Sequence, residues 1–202
     1  MPAHAASSAY LPSSSSSRLA AAYAAIGYCP DQDAFYERMT GLEWVSALAR
    51  LSGFEGDAAT DIARTALATV ALTPAADKKI GAYSKGMRQR VKFAQALVHD
   101  PVLVLLDEPT AGLDPAGREE MLGLIRRTGR EFGISILLSS HLMGDVESIC
   151  DRIIVLEGGH VTEEGEVSGF TKETQTLYIE VDNHLEELMA ALSKRGITAT
   201  ME

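Results

Sequence analysis

Apolar positions change their spacing several times along this chain, and each change marks an element. After Ile26-Gly27-Tyr28-Cys29-Pro30, where ordered structure is expected to begin, Thr40-Gly41-Leu42-Glu43 has the form of a capping box. In that arrangement the threonine hydroxyl and the glutamate carboxylate each satisfy a backbone donor at a helix start. Trp44 or Val45, Leu48 and Leu51 follow at helical spacing. A second helix is predicted from Asp57 to Leu72, with Ile62, Ala66, Leu67 and Val70 on its apolar side and Pro74 as its stop. A loop from Ala75 to Tyr83 leads to a third helix near Ser84, with Met87, Val91, Ala94 and Val98 on one face.

The texture then switches. Val102 to Leu106 is an unbroken apolar run, the pattern of a strand buried on both faces of a parallel sheet. Asp114-Pro115 opens a helix, with aspartate as cap and proline at the first helical position, and Met121, Leu122 and Ile125 give it an apolar side. A second buried strand is predicted over Ile134 to Leu138, followed by a helix carrying Leu142, Val146 and Ile149. Arg152 to Leu156, Gly158-Gly159 and His160 to Glu163 read as a hairpin. A strand over Leu177–Val181 and a helix over His184–Ser193 complete the pattern. Strands alternating with helices imply an α/β sheet.

Composition adds limits. The 202 residues are 46% hydrophobic and 23% charged, which suits a soluble chain with a buried core. The net charge of −10 supplies no general attraction to nucleic acid or anionic lipid, so phosphate binding would have to be local. Cys29 and Cys150 have no His or Cys neighbours at metal-ligand spacing and read as reduced thiols. No apolar run approaches the length of a membrane span. The opening stretch is rich in Ala and Ser, with five serines from Ser13 to Ser17, and reads as an unstructured or weakly helical tail.

Four local features invite a chemical reading. Asp107 and Glu108 lie just past the end of a predicted strand, and ligands of open parallel sheets bind beyond those carboxyl ends. The aspartate could hold Mg²⁺ and the glutamate could polarise a water as general base; alternatively Asp-Glu-Pro simply ends a strand in a solvated turn. Ser84 and Gly86 stand at a helix start, where free N–H groups and the helix dipole favour an anion, although most such starts are only caps. Asp114 caps the helix that follows the acidic pair. His141 ends the second strand on the same sheet edge as Glu108 and could relay a hydrogen bond to a phosphate or water.

Taken together, these segments resemble the ATP-binding cassette (ABC) family. Ser84 to Arg90 is similar to its signature motif, with Lys85 and Met87 in place of the commoner Gly and Gln. Val102 to Pro109 resembles its Walker B motif with the catalytic glutamate, Gly112 to Pro115 its D-loop, and His141 its switch histidine. The separations of 23 residues from Ser84 to Asp107, 7 from Asp107 to Asp114 and 34 from Asp107 to His141 agree with the family. Where the family has its Q-loop glutamine this chain has Asp31, with Gln32 one residue later as the candidate.

The resemblance, which covers roughly Ile26 to Gly169, implies a partial P-loop NTPase-like α/β fold with a parallel sheet. It implies a tail over 1–25, an ATPase domain over 26–170 with an inserted helical subdomain over about 35–83, and the start of an accessory region over 171–202. ATP and Mg²⁺ would be the cofactors, with Asp107 on the metal, Glu108 and His141 catalytic, and Ser84, Gly86, Asp114 and Gln32 on the nucleotide. The partners implied are an integral membrane permease subunit and a second ATP-binding subunit, not nucleic acid. The location implied is cytoplasmic, on the inner face of the membrane. The signature variant is similar to those of exporter-type subunits.

No Gly-x-x-x-x-Gly-Lys-Ser/Thr loop occurs in the 202 residues, so the first strands and phosphate cradle of the family are missing from them. The sequence therefore predicts weak ATP binding by these residues alone and an exposed apolar sheet face. It leaves open a non-hydrolysing partner that only donates its signature motif to an intact subunit.

Overall fold

A computed structural model describes residues 15–170 and 185–196, which fall into two compact units, Met1–Val167 and Ser168–Glu202. The Ala/Ser-rich segment forms a helix, α1 (Ser15–Ala25), that runs directly into β1 (Ile26–Cys29). Its alanines and leucine are strong helix formers, enough to carry the serine start into a helix ahead of Ile26.

Two helices follow. The capping box at α2 (Gly41–Leu51) is formed as expected, with the Glu43 amide donating to Thr40 Oγ1 at 3.1 Å and the Thr40 amide donating to Glu43 Oε2 at 2.8 Å. The next helix, α3 (Gly56–Thr69), ends earlier than its pattern predicts, and Pro74 is not what stops it. Ala71 takes a left-handed conformation (φ 55°), and the Leu72 amide folds back onto the Leu67 carbonyl at 2.8 Å. Together with the Ala71 amide on Ala68, this is a Schellman closure with alanine where glycine is usual. It tucks Leu72 into the core at 2% exposure.

The third helix, α4 (Lys85–Leu97), leads to β2 (Leu103–Asp107), and α5 (Pro115–Phe132) crosses over to β3 (Ser135–Ser139). The three strands form one parallel sheet in the order β1-β2-β3. In the register, Gly27, Val104 and Ile136 share one face with Cys29, Leu106 and Leu138. That face is covered. Gly27 lies so close to α4 that a Cβ would fall 2.1 Å from the Ala96 carbonyl oxygen, and Ile136 packs against α5 at Gly129. Val45, Ala63 and Leu67 of α2 and α3 join Val91, Ala94, Val104 and Ile125 in one continuous apolar cluster.

The opposite face carries Tyr28, Leu105 and Leu137, and it is open: Tyr28 is 54% and Leu137 55% exposed. Burial on both faces, expected for the two apolar runs, is therefore not found. α4 and α5 cover one side only, and the exposed apolar face that the sequence led us to expect is present.

Beyond β3, α6 (Met143–Ile149) precedes a hairpin of β4 (Arg152–Glu157) and β5 (His160–Glu166). Gly158 and Gly159 both have positive φ (55° and 81°), as a two-residue turn matched to strand twist requires. A single turn, α7 (Val167–Phe170), ends this region. In the second unit the helix expected over His184–Ser193 is found as α8 (Leu185–Lys194); the strand expected over Leu177–Val181 lies outside the described residues.

Two glycine exchanges of opposite sign test this packing. Gly27→Ala should lower the unfolding free energy by about 1–3 kcal/mol, because β1 or α4 must shift. Ala71→Gly should raise it by roughly 0.5–1 kcal/mol by relieving the left-handed alanine. Urea midpoints would read both. Burial pushes the Cys29 thiol up to about 12 from its ordinary value of 9.0. Between these values the unfolded chain loses a proton that the folded one keeps, so stability contributed by Cys29 should fall as pH rises through that window. Alkylation of Cys29 at pH 9 should accordingly track unfolding rather than proceed in the native protein.

Candidate functional site

Parallel pairing of β2 with β3 sets Asp107 opposite Ser139, at the carboxyl ends of both strands. The Ser139 hydroxyl donates to Asp107 Oδ1 at 2.8 Å and accepts from the Glu108 amide at 3.0 Å. One serine thus holds both members of the acidic pair. Glu108 has a left-handed backbone (φ 45°), uncommon for a residue with a side chain, and the chain turns sharply there, with the Ala111 amide returning to the Glu108 carbonyl at 3.1 Å.

His141, two residues past Ser139, places Nδ1 at 2.9 and 3.0 Å from the two Glu108 carboxylate oxygens. An ionised carboxylate only accepts, so Nδ1 carries the proton and Nε2 is the ring nitrogen left over. The side chains are 69% and 25% exposed. A pair this open contributes at most about 1 kcal/mol, so its geometry must be set by the segments that carry it. Each carboxylate oxygen of Glu108 retains a further lone-pair site with which to accept from a water.

A second group forms around two helix starts. Ser84 caps α4, accepting from the Met87 amide at 3.3 Å, while its carbonyl accepts from the Arg88 amide at 2.9 Å. Among the described residues no hydrogen bond engages the Lys85 and Gly86 amides, as the geometry of a helix start dictates. Asp114 caps α5 through the Gly117 amide at 3.0 Å. The two starts adjoin: Leu113 is the near neighbour of Gly86, and the Lys85 ammonium lies over Gly112, which has φ 64°. No hydrogen bond or ion pair among the described residues joins Ser84, Gly86 or Asp114 to Asp107, Glu108 or His141. The structure therefore brings together Asp107, Glu108 and His141 as one set, and Ser84, Gly86 and Asp114 as another.

Gln32 stands apart from both. It is exposed on the bend after β1, with no side-chain hydrogen bond among the described residues. Its neighbours are fixed instead. Lys92, only 1% exposed on α4, donates to the Asp31 carbonyl at 2.5 Å and pairs with Asp33 at 3.3 Å. One turn earlier, Arg88 pairs with Asp33 at 3.4 Å and Glu37 at 2.9 Å and lies over the Phe35 ring. This clamp was not anticipated: Arg88 and Lys92 share helical spacing on α4, but their acidic partners lie about fifty to sixty residues earlier in the chain. Ser139 was also missed as a member of the site; its signal was its place one register step past Leu138. Nor was a buried contact between Thr110 and Asp145 foreseen, where the threonine hydroxyl donates to Asp145 Oδ2 at 2.5 Å.

The donor set also bears on magnesium. Among the described residues no cluster of three or more His, Cys, Asp or Glu could cage a metal. A single strand-end carboxylate steadied by a serine suits Mg²⁺, which keeps waters and takes one or two carboxylates together with substrate phosphates. Asp107 fits that part.

Comparison with known proteins gives one answer. The family described as ABC transporter matches residues 10–111. An ABC transporter ATP-binding protein of Bacillus subtilis, YxlF, is 38% identical over 75% of this chain and 50% of its own length. The bacitracin transport ATP-binding protein BcrA of Enterococcus faecalis is 36% identical over 79% of this chain and 51% of its own. Among solved structures, CbiO1 of Clostridium perfringens, part of the ABC transporter complex CbiONQ, superimposes with a TM-score of 0.71 at 26% identity, covering 92% of this chain and 69% of that one. The chain spans about half the length of the curated relatives it matches. No helix among the described residues is long and apolar enough to cross a membrane. With the family match, these relatives and a parallel α/β sheet of the same fold, the chain belongs to the ABC transporter family, as part of its ATP-binding domain.

Proposed function

We propose that these residues form part of an ATP-hydrolysing subunit that couples Mg-ATP turnover to movement of a substrate through a membrane partner. The junction of Asp107, Glu108, Ser139 and His141 at the carboxyl edge of the sheet carries this reading. When bound, magnesium would neutralise charge on the terminal phosphates of ATP. Asp107, kept in place by the Ser139 hydroxyl, would hold the ion. Glu108 orients the attacking water and accepts its proton, and the imidazole on its far side keeps the carboxylate in position. With the proton on Nδ1, His141 Nε2 remains available to accept from a water beside the phosphates.

Ser84, Gly86 and the free amides at the start of α4 form a separate anion-binding element. With no hydrogen bond or ion pair to Asp107 among the described residues, they serve best in a site shared with a second ATP-binding subunit, to which Asp114 also contributes. Gln32 would follow the bound metal from the loop held by Lys92. The membership of CbiO1 in a multi-protein transporter complex supports an integral membrane permease as the other partner. A net charge of −10 gives no support to a nucleic-acid partner. The placement is cytoplasmic, on the inner face of the membrane. The Ser84-Lys85-Gly86-Met87 variant of the signature motif is what favours an exporter type.

These 202 residues contain no phosphate-binding loop, so the catalytic test joins them to a relative's loop segment. The joined protein should hydrolyse ATP, and Glu108→Gln should reduce its kcat at least about 100-fold with nucleotide affinity kept. Unchanged turnover in Glu108→Gln would remove the glutamate from the mechanism. Titration of the 202-residue chain alone with Mg-ATP should show no micromolar binding; micromolar affinity lost in Asp107→Ala would contradict this.

The donated element has its own test. Ser84→Asp should preserve the helix cap, because aspartate caps as well as serine. Its charge should nevertheless cut turnover in the shared site at least tenfold. Equal turnover for Ser84→Asp and the parent protein would mean that Ser84 is a cap and nothing more.

A further inference from the structure

Two segments meet at the site, one carrying Asp107, Glu108 and Thr110, the other carrying Ser139, His141 and Asp145. They touch at three levels. Ser139 binds Asp107 and the Glu108 amide at the strand ends. His141 meets Glu108 at the solvent-exposed rim. Thr110 meets Asp145 out of contact with water, at 1% and 3% exposure. This last level includes neither the metal-binding carboxylate nor the histidine–glutamate pair.

Several features set it apart from ordinary packing. Burying a carboxylate is unfavourable unless it is bonded and compensated. Here Asp145 accepts a 2.5 Å hydrogen bond from Thr110, a length in the range of charge-assisted bonds. Its other oxygen lies 3.9 Å from Arg118 Nε, a buried nitrogen with no hydrogen-bond partner of its own. Arg118 sits in the first turn of α5, the helix capped by Asp114. The backbone between His141 and Asp145 is also tied down. The Leu142 amide donates to Ser140 Oγ at 3.1 Å, and the Asp145 amide donates to the Leu142 carbonyl at 3.0 Å. A displacement of Asp145 is therefore passed to His141 with little slack.

We infer that Thr110 and Asp145 are positioning residues, a buried latch that holds the His141 segment against the Glu108 turn and so sets the imidazole–carboxylate contact. The inference rests on the reading of Glu108 and His141 as reacting groups, but the latch acts on them whether or not nucleotide is bound. The exposed histidine–glutamate pair is too weakly held to align the two segments. The short buried bond fixes their separation two residues beyond Glu108 and four beyond His141. Thr110 touches no reacting atom, and its hydroxyl proton is committed to Asp145.

The test is the imidazole nitrogen spectrum of His141 in the 202-residue chain without nucleotide, at a pH where the ring is neutral. The His141 signals would be assigned by their loss in His141→Gln. In the parent chain they should show a single tautomer with the proton on Nδ1. Thr110→Val keeps the side-chain volume and removes the donor. It should give the averaged pattern of a free imidazole, close to the pattern produced by Glu108→Gln. Thr110→Ser, which keeps the hydroxyl, should restore the parent spectrum. Thr110→Ala removes the same hydroxyl without a branched side chain and reads the same way if the valine variant does not fold. An Nδ1–H signature unchanged in a folded Val or Ala variant would overturn the latch, and so would a serine variant resembling the valine one. Failure of the ATP reading would appear elsewhere, as absent turnover in the joined protein, with the spectrum still reporting the latch.

Discussion

Everything at the candidate site depends on the register between β2 and β3. With Leu106 opposite Leu138, Asp107 must fall opposite Ser139, and the acidic pair and the histidine segment leave the sheet side by side. Side chains alternate along a strand, so a slip of one residue would turn Asp107 toward the helices and carry Leu106 to the open face. Burial opposes that slip. Val104 and Leu106 are 0% and 2% exposed against the shared core, and no equivalent cover exists on the other side among the described residues. The apolar face turned toward α4 and α5 thereby places the polar residues at the edge.

From that register the remaining arrangement follows by short links. Ser139 can hold Asp107 and the Glu108 amide together because it is the last residue of its strand. His141 reaches Glu108 because the chain has advanced only two residues beyond Ser139. Ser84 and Asp114 belong to a different part of the architecture. They cap α4 and α5, and their segments adjoin through Leu113 and Lys85. The loop that carries Gln32 depends in turn on Lys92, a buried cation whose partners lie about sixty residues earlier in the chain.

Much of this was legible in the residues. The capping box at Thr40, the caps at Ser84 and Asp114, the two apolar strands and the glycine hairpin all follow local rules that need no tertiary information. The motif spacing of Ser84, Asp107, Asp114 and His141 pointed to the family. Less visible were features that depend on contacts distant in sequence. Ala71 ends α3 because Leu72 gains burial by folding back, and periodicity alone carried that helix on to Leu72. One-sided burial of the sheet depends on which helices cover it, which an apolar run cannot report. Lys92 reads as a solvated charge until Asp31 and Asp33 are placed beside it. Thr110 and Asp145 look like loop and helix-surface residues until the turn at Glu108 brings them together.

The most direct test of a magnesium-nucleotide site at the ends of β2 and β3 replaces Mg²⁺ with Mn²⁺. Amide resonances would be followed in the protein joined to a phosphate-binding loop as Mn-ATP is added. Paramagnetic broadening should centre on Asp107, Glu108 and Ser139, extend to His141, and vanish in Asp107→Ala. Broadening centred elsewhere, or broadening around Ser139 that persists without the Asp107 carboxylate, would contradict the placement of the metal and the chemistry built on it.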